Sequence, residues 1–90
     1  MEISEWRKKI DELETEIVRL LSLRSHYALK IGESKKKIGK PIYDPEREAE
    51  ILQRLVSKNP GPLSDKALQQ IFLKIMEETR NLESENSHEG

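Results

Sequence analysis

Apolar residues recur along the N-terminal part of the chain at alternating spacings of three and four: Ile3, Trp6, Ile10, Leu13, Ile17 and Leu20. That spacing predicts one amphipathic helix with a narrow buried stripe. Position 24 is next in register, and it holds Arg24 before the stripe resumes at Tyr27 and Ile31. Glu, Lys, Arg and Leu are frequent here and Pro is absent, so the helix is expected over about 4–38. Gly32 is an interior cost of about 1 kcal/mol. "IGKP" supplies the stop, with Gly39 as C-terminal cap and Pro41 just beyond.

A second helix is expected from "DPERE", where Asp44 suits the N-cap, Pro45 the first helical position and Glu46 the positive end of the dipole. Ile51, Leu52, Leu55 and Val56 give its apolar face, and "SKNPGPLS" ends it. Ser64 and Asp65 then open a third helix with Leu68, Ile71, Phe72, Ile75, Met76 and Leu82 on one face. "ESENSHEG" has nothing to bury and is expected to fray, which divides the chain into a helical domain over 1–84 and a disordered tail over 85–90. No repeat and no strand pattern is visible. The predicted class is all-α, one long helix and two shorter ones.

The first helix is too long for a monomer of this size. About 35 residues make a rod of roughly 52 Å, whereas a compact globule of this length would be about 31 Å across. Two short helices cannot cover the rod, so Ile3, Trp6 and Ile10 need another chain. An intertwined helical homodimer is the simplest solution; a free amphipathic end awaiting a different protein is the competing one.

Composition sharpens this picture. Of 90 residues, 34% are hydrophobic and 37% charged, too polar for a membrane protein and unusually polar for a compact monomer. The formal net charge of −1 gives no nucleic-acid footprint. The absence of cysteine excludes disulfides, thiolate metal sites and a cysteine nucleophile. "MEISEWRKKIDE" has no apolar core of a secretory signal, so a cytoplasmic protein is expected.

Arg24 is not the only polar residue on an inward stripe. Lys35 lies eleven residues later, within about 20° of the same helix face. Glu48 stands one turn before Leu52. Thr79 is seven residues after Phe72, and Glu83 seven after Met76. Burying one unpaired charge costs several kcal/mol, so two arrangements are open. One is an internal ion-pair network, such as Arg24 with Glu48 and Lys35 with Glu83. The other is a pocket for an anionic ligand, because Arg grips carboxylates through a bidentate fork. Arg7 precedes Arg24 by seventeen residues, so it points about 100° away and sits about 25 Å up the rod. Alone it reads as an exposed residue; in an antiparallel dimer it reaches the other chain's pocket. His26 and His88 lack metal-ligand spacing, and neither a nucleophile elbow nor a glycine-rich phosphate loop is present. "SKKKIGK" reads as a solvated helix end.

"IDELETEIVRLLSLR", "IGESK", "GKPIYDPEREAEIL" and "GPLSDKALQQIFLKIMEETRNLE" together resemble the all-helical class of chorismate mutases, over residues 4–83. The resemblance implies an intertwined homodimer that converts chorismate to prephenate without metal or cofactor, each active site completed by an arginine of the other subunit. By position, Arg7 resembles that donated arginine, Arg24 the one that holds a substrate carboxylate, and Lys35 the lysine near the ether oxygen. Asp44, Arg47 and Glu48 match the motif that orients the substrate hydroxyl and supports the site. Thr79 matches a small hydroxyl residue near a carboxylate, and Glu83 a Gln or Glu facing the ether oxygen. Lys35, Glu83 and Arg24 are thus the implied catalytic groups. An ionised Glu83 would repel the ether oxygen, so it is expected to act as a neutral donor. Family members are often fused to other aromatic-pathway enzymes, which makes association with one a further expectation. Isochorismate pyruvate-lyase relatives share this fold and are the alternative activity; a helical interaction module without turnover is the alternative class.

Overall fold

The computed structural model describes residues 2–88. Three helices account for nearly all of them: α1 (Ile3–Ile38), α2 (Pro45–Ser57) and α3 (Asp65–His88). No strand occurs among the described residues.

The helix boundaries follow from local chemistry. Gly39 adopts a left-handed φ of 72° at the end of α1. Its own N–H reaches the Lys36 carbonyl, and the Lys40 N–H reaches that of Lys35 at 2.9 Å. A glycine takes this conformation without the steric cost that a Cβ would bring. Lys35, Lys36 and Lys37 occupy the last turn of α1, where cations suit the negative end of the dipole. Asp44 caps α2 by accepting the Arg47 backbone N–H at 3.1 Å, with Pro45 as the first helical residue. Ser64 caps α3 in the same way, accepting from the Ala67 N–H at 3.1 Å.

α3 runs further than expected. The segment expected to fray from residue 85 is helical as far as His88, and residues 89 and 90 lie outside the described part. Glu, Ser and Asn cost only tenths of a kcal/mol each inside a helix. The half-buried Leu82, Glu83 and Ser84 carry the helix into this segment.

α3 packs against both α1 and α2, and those two do not pack on each other. The molecule is elongated, 54 × 27 × 14 Å, with a radius of gyration of 16.2 Å; a compact chain of this length would have about 12 Å. The long axis matches the rod expected for α1. Its N-terminal half has no cover: Ile3 is 67% exposed, Leu13 63%, and Trp6, Ile10 and Ile17 more than half. Among the described residues, the buried hydrophobic positions are Ala28, Ile51 and Met76, one from each helix. No helix among the described residues is long and apolar enough to cross a membrane.

Candidate active site

The three buried residues are also the floor of a cavity of about 230 Å³ at the junction of the helices. Around that floor stand Arg24 and Lys35 from α1, Asp44, Arg47 and Glu48 from the start of α2, and Thr79, Arg80 and Glu83 from α3. Every site residue singled out in the sequence lines this cavity except Arg7, which is exposed on the uncovered half of α1.

The two α1 cations of the cavity, Arg24 and Lys35, are each held by a neutral acceptor. Arg24 Nη1 donates to the Thr79 hydroxyl at 2.9 Å, and that hydroxyl donates to the Ile75 carbonyl at 2.7 Å. Thr79 therefore fixes the guanidinium without offering it a negative charge, and takes one of its five donors. Lys35 Nζ donates to the Ile42 carbonyl at 3.1 Å, which ties the segment between α1 and α2 to the wall of the cavity. Neither anticipated ion pair forms: Glu48 bonds Arg80 rather than Arg24, and Glu83 is not within bonding reach of Lys35.

Glu83 is the unusual member. Its Oε2 is buried and has no hydrogen-bond partner. Burial pushes its carboxyl above the ordinary carboxylate range, with the charges of Lys35 and Arg24 pulling the other way. A buried polar atom left without a partner is costly, and it is tolerated where a ligand supplies the missing bond. The carboxyl lies over Gly32 of α1, where a Cβ would come within 3.3 Å of Oε2 and 3.4 Å of Cγ. The interior glycine of α1 thus gives Glu83 its room.

Asp44 and Arg47 stand at the rim. The Asp44 carboxylate serves the α2 cap, and the Arg47 guanidinium pairs with Glu50 one turn on. Arg80 was not anticipated from sequence, although its place was legible: it lies four residues after Met76 and three before Glu83, both on the buried face. It pairs with Glu48, and its guanidinium carbon lies 5.0 Å from the centre of the Tyr43 ring. The Glu48 carboxylate pushes its pKa further up, so it remains a cation.

Setting paired groups against each other leaves a simple balance. Arg80 answers Glu48, Arg47 answers Glu50, and burial raises the pKa of Glu83 against the pull of Lys35 and Arg24. Arg24 and Lys35 remain as cations with no carboxylate bonded to them, facing a cavity with an apolar floor, while the Asp44 carboxylate at the rim is bonded only by the Arg47 backbone N–H. Paired cations over an apolar floor suit the binding of a small organic carboxylate.

The family model of chorismate mutase type II matches residues 6–84. The chain belongs to the type II chorismate mutases. The matched stretch takes in Arg7 and every side chain of the cavity. Among solved chorismate mutases, form II of the Thermus thermophilus protein superposes with a TM-score of 0.90 at 39% identity, covering 91% of this chain and 93% of that one. The Helicobacter pylori chorismate mutase in complex with prephenate gives 0.91 at 32% identity, covering 98% and 96%. The bifunctional chorismate mutase/prephenate dehydratase of Aquifex aeolicus is 40% identical over 86 residues, 91% of this chain and 24% of that protein. The chain therefore spans about a quarter of the length of this curated chorismate mutase relative.

Proposed function

We propose that the cavity binds chorismate and converts it to prephenate, in a homodimer whose two sites are each completed by Arg7 of the other subunit. The carrying observation is the pair of cations without a bonded carboxylate, Arg24 and Lys35, beside the buried and unpartnered Oε2 of Glu83 over an apolar floor.

The rearrangement is unimolecular: one ether C–O bond breaks while one C–C bond forms, with no nucleophile, base or cofactor required. The enzyme's task is to hold the enolpyruvyl arm over the ring and to stabilise negative charge growing on the ether oxygen. Arg24, held by Thr79, grips one carboxylate. The ammonium of Lys35 keeps donors beyond its bond to Ile42 and meets the ether oxygen with a preorganised positive charge. Glu83, protonated, donates to that same oxygen and so satisfies its own orphaned Oε2. Glu48 and Asp44, near the start of α2, orient the ring hydroxyl. The exposed stripe from Ile3 to Leu20 pairs with its counterpart in the dimer, bringing Arg7 over the open side of the partner's cavity.

The deciding experiment follows chorismate absorbance with product identification at submicromolar protein. Conversion to prephenate supports the reading. No loss of chorismate sinks it, and pyruvate release from isochorismate, without prephenate formation, replaces it with the lyase activity.

Glu83 sets the expected pH dependence. Its raised pKa keeps the acid form to higher pH than an ordinary carboxyl, and bound substrate carboxylates extend that range. Activity is therefore full at low pH and falls as pH rises through the Glu83 pKa in the complex. Glu83→Gln, a donor at every pH, loses this basic limb. A pH–rate profile of the variant that keeps the wild-type limb contradicts the assignment.

Gly32→Ala separates stability from catalysis. Alanine favours the helix by about 1 kcal/mol, and the crowded atoms belong to a flexible side chain that yields by a few tenths of an ångström. The melting temperature is expected to hold or rise while kcat falls, because the carboxyl that gives way is the donor. Equal kcat at equal or higher melting temperature would show that the position of Glu83 is not critical.

A further inference from the structure

We propose that Arg80 is a positioning residue that sequesters Glu48, keeping this carboxylate off Arg24 and presenting it to the ligand as an acceptor. The inference rests on the chorismate mutase reading of the cavity and adds a residue to it. Arg80 joins three segments. It projects from α3, bonds Glu48 Oε2 in the first turn of α2 through Nη1, and covers the ring of Tyr43 in the segment before α2. The pair is largely withdrawn from solvent, with side-chain exposures of 31% for Arg80 and 19% for Glu48.

Glu48 lines the cavity and has two oxygens, of which Arg80 engages Oε2 and leaves Oε1 to accept from a ligand. The other charges around this wall are Arg24 and Lys35 on α1, Asp44 and Arg47 at the start of α2, and Glu83 on α3. Arg47 is turned to Glu50. Without Arg80, the cations that line the same cavity as Glu48 and have no carboxylate bonded to them are Arg24 and Lys35. Pairing with either would neutralise the receptor from within, in the manner that sequence periodicity alone anticipated for Arg24 and Glu48. An unpaired Glu48 would in addition repel a dianionic ligand. Arg80 prevents both by satisfying Glu48 from the α3 side, and the stack on Tyr43 fixes the plane in which it does so.

The experiment compares the unmodified chain with Arg80→Met, Arg80→Lys, Glu48→Gln and the Glu48→Gln/Arg80→Met double variant. Each is read by KM and kcat on chorismate and by prephenate affinity from calorimetry, with helicity checked by circular dichroism. Arg80→Met is expected to raise KM and the prephenate Kd about 10- to 100-fold, with kcat changed less. Arg80→Lys keeps the charge but loses the planar stack on Tyr43, so it recovers only part of the loss. The double variant binds prephenate more tightly than Arg80→Met alone, because removing the freed carboxylate's charge releases Arg24. Unchanged binding in Arg80→Met, or additive losses in the double variant, overturns the proposal. If Arg80→Met does not fold, Arg80→Gln takes its place, and unchanged prephenate binding in the folded Arg80→Gln overturns the proposal. Failure of the unmodified chain to consume chorismate is a different result, one that removes the parent reading itself.

Discussion

Arg24→Ala is expected to lower kcat/KM on the order of 10³-fold while leaving helicity and subunit association in place. Both halves of this expectation come from the environment of the side chain. The guanidinium stands half-buried on the inward face of α1, bonded to a neutral hydroxyl rather than to a carboxylate. A cation held in this way costs folding free energy, so its removal relieves the apo protein. The Thr79 hydroxyl keeps its bond to the Ile75 carbonyl and is not orphaned. The substrate loses a bidentate, charge-assisted partner in a site partly shielded from water, where such a partner is worth several kcal/mol. Absorbance assays, circular dichroism and sedimentation on the same preparation check the three quantities. An unfolded variant, or one within a few-fold of full activity, would mean that Arg24 is a structural residue.

Mixing two inactive variants is expected to restore activity. Arg7 lies about 25 Å from Arg24 along α1 and does not line its own chain's cavity. Arg7→Ala alone and Arg24→Ala alone should each be inactive, the first for want of a donated arginine and the second for want of the resident one. In a mixed dimer, one cavity receives both defects and the other receives neither. Random exchange at equal amounts makes about half the dimers mixed, and so leaves about one quarter of all sites intact. Recovery towards that ceiling, tracked against subunit exchange by mass spectrometry, distinguishes a shared site from a self-contained one. Confirmed exchange with no recovery removes Arg7 from the mechanism and, with it, the reason for an intertwined arrangement.

Features set by nearest neighbours in sequence were the legible ones. Gly39, Asp44 with Pro45, and Ser64 each fix a boundary through bonds within a few residues, and each stands where the pattern placed it. The interruption of the α1 stripe by Arg24 and the recurrence of Lys35 on the same face also survive, because the angle between helix positions is independent of tertiary structure. Pairings across helices were not legible. Periodicity places Glu48 near the cavity but does not say which cation it meets. That choice belongs to the α2–α3 contact, where Arg80 reaches Glu48 across 32 positions of sequence. The unpartnered Oε2 of Glu83 had no sequence signal either, since it depends on the approach of α3 to Gly32. The last turn of α3 departs from expectation because a weakly helical composition says nothing of the packed residues that precede it.

Ala28, Ile51 and Met76 serve as both the keel of the fold and the lining of the cavity floor. Room for a bulkier molecule therefore cannot be carved from below without hollowing out the little interior this chain possesses. New specificities, whether selected in nature or in the laboratory, should arise instead from the charged upper wall, where exchanges cost the scaffold least.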